Sequence, residues 1–127
     1  MEDTLQANNE KATNNEKATA LALACLLREH KGIDVVLMDL RGQCGWTDFF
    51  VIATVTSHTH VQGLLRHIKE FAGERNLEIL RRHRKVSPDD EWNLVDLGNT
   101  VIHLMTAKSR SFYELERLWS AAPMERL

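Results

Sequence analysis

Cysteine and proline each occur only twice in the 127 residues, and neither sign of charge dominates. Cys25 and Cys44 lie far apart and form no metal-ligand pair, which excludes a zinc ribbon or a disulfide framework and points to free thiols in a reducing compartment. The 16 basic and 18 acidic residues leave a net charge of -2, which removes the simplest basis for non-specific attraction to a phosphate backbone. Any role on nucleic acid must then work through a local patch or a protein partner. No apolar run is long enough to span a membrane, and the first residues are polar where a signal peptide is apolar, so a cytoplasmic protein with no membrane contact is expected. The two prolines, Pro88 and Pro123, serve as punctuation, marking a loop and the end of the last helix.

The chain does have enough apolar residues, 43%, for one core, and its length is that of one domain. It opens with a duplicated polar hexapeptide, Asn8-Asn9-Glu10-Lys11-Ala12-Thr13 followed by Asn14-Asn15-Glu16-Lys17-Ala18-Thr19. Two copies of six residues are far below the period of a repeat fold. Residues 1–14 are therefore expected to form a mobile extension, residues 15–122 the domain, and residues 123–127 a short tail.

Within the domain, Ala18, Leu21, Ala22, Cys25 and Leu26, widened by Leu23 and Leu27, have helical spacing that should stop at Gly32. Residues 33–40 and 48–55 are short apolar runs rich in β-branched side chains, the signature of buried strands. Thr59 with Gln62 forms a capping box, and Ser57 is an equally good cap, for a helix whose buried stripe is Val61, Leu64, Leu65, Ile68, Phe71 and Ala72. Residues 77–82 suit a third strand. Residues 91–105 read as two strands joined by a two-residue turn at Gly98-Asn99, with Trp92, Leu94 and Asp96 on one face. Ser111 with Glu114 marks a last helix that places Phe112, Leu115, Leu118 and Trp119 on one face. The order is helix, two strands, helix, three strands, helix, so the expected class is α/β (α+β) with five strands.

Several blocks of this sequence resemble the ribosomal silencing factor (Iojap) family in order and spacing. They are Asp34-Val35-Val36-Leu37-Met38-Asp39-Leu40, Thr47-Asp48-Phe49-Phe50-Val51-Ile52-Ala53-Thr54, Thr56-Ser57, His60-Val61, Glu91-Trp92, Asp96-Leu97-Gly98, Val101-Ile102-His103 and Phe112-Tyr113-Glu114-Leu115-Glu116-Arg117-Leu118-Trp119. The resemblance spans roughly residues 18–122 and implies a mixed five-stranded sheet with flanking helices in a nucleotidyltransferase-like topology, often dimeric. It also implies an activity: binding the large ribosomal subunit through large-subunit ribosomal protein fourteen and obstructing the joining of the small subunit. The chain departs from the family in residues 84–90, charged and without glycine, and at Asn99, where the family has an aspartate.

On that resemblance the residues expected to meet the ribosomal protein are Trp92, Leu94, Asp96, Leu97, Gly98 and Asn99. Read alone, Trp92 would be core; with the resemblance it becomes an interface anchor, a role in which tryptophan is enriched. Asp96 read alone is a turn-bonding aspartate, and His103 a core or inter-strand histidine with no metal partner. An enzymatic alternative, a metal-dependent nucleotidyltransferase, needs two acids at alternate strand positions. Asp48 supplies one, but Phe50 occupies the place of the second and cannot ligate magnesium, so no metal, cofactor or catalysis is expected. A third class, an accessory RNA-binding assembly factor, rests on Arg81, Arg82, Arg84 and Lys85. Asp89, Asp90 and Glu91 offset that run and no aromatic interrupts it, which favours a solvated edge with phosphate contacts to ribosomal RNA as a secondary role.

Overall fold

The computed structural model describes residues 2–80 and 88–127, with side chains from Asn15 onward. The elements are α1 (Glu2–Glu29), β1 (Ile33–Asp39), β2 (Phe49–Thr54), α2 (His58–Glu74), β3 (Trp92–Asp96), β4 (Thr100–Met105), α3 (Ala107–Tyr113), α4 (Leu115–Leu118) and β5 (Met124–Arg126). Five strands make one mixed sheet in the order β3-β4-β2-β1-β5. The central pair, β2 and β4, is parallel and runs from Phe49↔Thr100 to Thr54↔Met105, while the outer pairings are antiparallel.

The expected class and strand number hold, but the fifth strand is a different one. Residues 77–80 form no strand, and their backbone bond to the hairpin is that of the Leu80 amide to the Asp96 carbonyl, 2.8 Å; positions 81 and 82 of that expected strand lie outside the described residues. The fifth strand comes instead from the end of the sequence, expected as a tail. β5 pairs antiparallel with β1, and the Leu127 amide adds a bond to the Val35 carbonyl at 2.9 Å.

Strand alternation gives the sheet two unlike faces. Val35, Leu37, Phe49, Val51, Ala53, Val95, Ile102 and Leu104 point to the first, where α1 and α2 cover them. All six residues of the expected α2 stripe are buried there, and each of the five larger than alanine contributes about 1.5–3 kcal/mol on full burial. Ser57, not Thr59, is the α2 cap: its hydroxyl accepts the His60 amide at 3.0 Å. α1 buries Ala20, Leu23, Ala24 and Leu27, whereas Ala18 and Cys25 of the expected stripe are exposed. Its alanines and leucines form two overlapping stripes, and the one holding both inner leucines faces the sheet. The α1 backbone also continues to Glu2 through the polar duplication, a stretch with neither glycine nor proline to stop it.

The second face presents Val36, Met38, Leu40, Phe50, Ile52, Val101, His103 and Met105, and is covered by Leu115, Ala122 and the half-buried Trp92 and Trp119. The covering segment departs from the single helix that Ser111 would start. Thr106 is the cap, accepting the Ser109 amide at 3.2 Å, so α3 begins earlier. Glu114, at φ 45, then breaks the helix in the left-handed region before α4. The shift and the break turn Phe112 and Leu118 outward, to 79% and 71% exposure, while Leu115 stays buried.

Candidate functional site

The β3–β4 hairpin closes as expected, with the Leu97 amide bonded to the Thr100 carbonyl across Gly98-Asn99. Only Gly98 takes a positive φ, +86°, as a turn with glycine at its first central position requires. Asp96 locks that glycine by accepting its amide at 2.8 Å. Asp96 therefore has the turn-bonding role read from its position.

The six residues expected at the ribosomal-protein site divide between two surfaces. Trp92, Leu94 and Asp96 project from the second face, opposite Met105, His103 and Val101. Leu97 packs against the first-face core. Asn99, at the tip, donates its side-chain amide to Glu16 of α1 at 2.9 Å. Trp92 and Gly98 stand at opposite ends of the hairpin, about 20 Å apart at the usual rise of an extended chain. The basic residues expected to touch RNA, Arg81, Arg82, Arg84 and Lys85, lie outside the described residues.

Trp92 and Leu94 belong to a larger surface that the hairpin pattern alone does not show. Ring contacts run without a break from Phe112 to Tyr113 (centroids 5.0 Å apart), Tyr113 to Trp92 (4.6 Å), Trp92 to His103 (5.8 Å) and His103 to Phe50 (4.4 Å). From Phe50 they branch to Trp46 at 5.7 Å and Trp119 at 6.3 Å. All three tryptophans, the one tyrosine and two of the four phenylalanines thus gather on the second face. Several of these side chains are open to solvent, among them Trp46 at 62% and Phe112 at 79%, and Leu94 stands beside them at 54%. Clustered exposed apolar side chains of this kind mark surfaces for macromolecular contact.

The floor of the surface is polar at one point. His103, 3% exposed, accepts the Trp92 indole N–H on Nδ1 at 3.0 Å. Burial pulls the His103 pKa down to about 4, so the ring is neutral at physiological pH. Trp92 is thus half-buried and bonded inward, packed as part of the second face.

The acid expected of an enzyme finds different company. Phe50, in the place of a second metal ligand, is buried under Trp46 and Trp119. Asp48 lies beside Glu16, whose carboxyl holds its proton more tightly than usual, first through burial and then through Asp48. Among the described residues no group of three or more His, Cys, Asp or Glu side chains is arranged to hold a metal ion, and no helix is long and apolar enough to cross a membrane. At the other end of β2 and β4, a groove lined by Thr54, Thr56, Ser111 and Glu114 is braced by Arg110, which donates to the Thr54 hydroxyl at 2.9 Å and to Glu116 at 3.0 Å.

The model of the family described as "ribosomal silencing factor during starvation" matches residues 12–127. The ribosomal silencing factor RsfS of Treponema pallidum is 37% identical over 100 residues, covering 79% of this chain and 88% of the relative. The mouse protein named mitochondrial assembly of ribosomal large subunit protein 1 is 31% identical over 108 residues, 77% of this chain and 43% of its own longer one. A crystal structure of a Chromobacterium violaceum protein superposes with a TM-score of 0.71 at 26% identity, covering 84% of this chain and 85% of that one.

Proposed function

Because this chain belongs to the family of ribosomal silencing factors acting during starvation, we propose that it binds the large ribosomal subunit and blocks the joining of the small one. The contact in this proposal is with large-subunit ribosomal protein fourteen, and the block is steric: a folded domain occupies the space the small subunit needs. Translation is repressed without any covalent step, so the protein is not an enzyme in this reading. It works in the cytoplasm, and the homodimer implied by the resemblance is part of the same proposal. Phosphate contacts from Arg81, Arg82, Arg84 and Lys85 to neighbouring ribosomal RNA are a secondary element.

The observation that carries the reading is the aromatic surface on the second face. Leu94, Phe112 and Trp46 are exposed there around a half-buried Trp92, which supplies a desolvated anchor with an apolar rim. A docking surface needs exposed apolar area, and this face offers it. The large-subunit partner is supported by the name of the mouse relative, and silencing by that of the bacterial one.

Sedimentation of mixed ribosomal subunits tests the proposal. The protein should travel with large subunits and lower the fraction of joined ribosomes. Complete joining at saturating protein would sink the reading. Nucleotide turnover in magnesium or manganese that disappears in Asp48→Ala would favour the enzymatic alternative.

A further inference from the structure

We propose that His103 is a positioning residue of the docking face: it takes up the indole N–H of Trp92 inside the sheet, so that Trp92 meets its partner through ring carbons and not through its donor. The inference rests on the docking reading above and adds the chemistry of the contact.

Tryptophan carries a single side-chain donor. In this structure that donor points inward, 3.0 Å from His103 Nδ1, along the diagonal between paired strands: Trp92 stands opposite Met105, and His103 opposite Leu94. An accepting Nδ1 fixes the neutral tautomer with its proton on Nε2. That second nitrogen is buried with no hydrogen-bond partner among the described residues, and the ring meets Phe50 at 66°. A leucine or valine would fill the same place on the buried face without leaving a polar atom unpaired. The bond to Trp92 is what the histidine adds over such a residue.

The consequence falls on the partner. Tyr113 flanks the indole at 4.6 Å with the rings inclined by 49°, while His103 holds its nitrogen edge. What remains on offer is the carbon surface of the ring, beside exposed Leu94 and Phe112. A surface of that kind takes an aliphatic side chain, or a guanidinium laid over the ring, from a protein partner. A carbonyl or carboxylate seeking a donor finds none on Trp92.

The test uses the full chain and large ribosomal subunits. His103→Leu removes the acceptor; His103→Asn places an amide oxygen where Nδ1 stood. In His103→Leu the Trp92 indole resonance, identified with Trp92→Phe, should move and exchange faster with solvent, and affinity should fall about tenfold at the common scale of a hot-spot contact. His103→Asn should recover both. Trp92→Phe should lose about as much affinity as His103→Leu, and the double variant no more than either, as expected of two residues acting as one unit. If His103→Leu does not fold, His103→Met carries the same comparison. Full affinity in His103→Leu beside a clear loss in Trp92→Ala would overturn the positioning role alone. Full affinity in Trp92→Ala would overturn the docking reading itself. Additive losses in the double variant would show that the two residues act separately and would also overturn the proposal.

Discussion

Asn99 at the hairpin tip and Glu16 on α1 are joined side chain to side chain, at 2.9 Å. The bond fastens a helix to a turn far away in sequence, and it does so beside Asp48, which also presses on the Glu16 carboxyl. Ionised, Glu16 is a good acceptor for Asn99 but a poor neighbour for Asp48.

Glu16→Gln should therefore stabilise the protein at neutral pH. The Glu16 pKa is raised in the folded state, so its contribution is fully present below the ordinary carboxylate range and is lost as pH rises through the folded value. Glutamine keeps an oxygen for Asn99 and removes the charge. Urea midpoints at pH 7 should rise, and the gain over wild type should shrink towards pH 4. A lower midpoint at pH 7 would show that the charge is needed.

His103 gives the opposite sign. Its folded pKa is lowered to about 4 by burial, while the unfolded chain takes up a proton near the ordinary histidine value, about 6.5. The unfolded state therefore binds more protons between those values, and stability falls as pH drops through that window. At its full extent the loss is about 3 kcal/mol. Denaturation curves of wild type and His103→Asn between pH 7 and 4 should converge as the pH falls; parallel curves would refute the assignment.

The docking face predicts a split between stability and binding. Leu94, more than half exposed, can become glutamate with a stability change within about 0.5 kcal/mol, yet should weaken binding to large subunits about tenfold or more. Trp92→Ala removes a half-buried ring and should cost about 2 kcal/mol of stability together with about thirtyfold in affinity. Measuring both quantities on one sample separates them. A Leu94→Glu variant that binds as wild type would move the contact elsewhere on the protein.

The buried stripe of α2 serves as the control. Leu65→Ala opens a cavity between α2 and the first face of the sheet and should cost about 2–4 kcal/mol, while the fraction still folded binds large subunits normally. Reduced affinity of the folded fraction, measured below its melting range, would mean that the first face also communicates with the docking surface.

How much of this was legible in the sequence depended on how strong each local signal was. The α2 stripe and the Gly98 turn were readable because a single periodicity in the helix and a glycine at the positive-φ position of the hairpin turn left no competitor. The inner face of α1 was misread because alanines and leucines occupy more than one side, and only packing selects among them. Ser111 lost to Thr106 as a cap, and Glu114 breaks the helix in a conformation usually given to glycine, so nothing in its identity announces the break. β5 is three residues long with every side chain exposed, and it has no apolar pattern to find. On the second face, the shared side of Trp92 and Leu94 was legible in the alternation of the hairpin. Phe112 was grouped on one helix face with Leu115, Leu118 and Trp119, and Trp46 and Tyr113 were not read as surface residues, because the aromatic surface exists only once strands and helices distant in sequence are brought together.

The parallel pairing of β2 with β4 has a kinetic consequence. Phe49 and Thr100 lie about fifty residues apart, so closing that pair costs chain entropy that the local β1–β2 and β3–β4 hairpins do not incur. The hairpins should form early and their docking should limit the folding rate. Phe50 comes from one hairpin, and Trp92 and His103 from the other. The contact between Phe50 and His103 is then made in that last step, and until it is complete the aromatic surface of a nascent or partly folded chain stays in two separate halves.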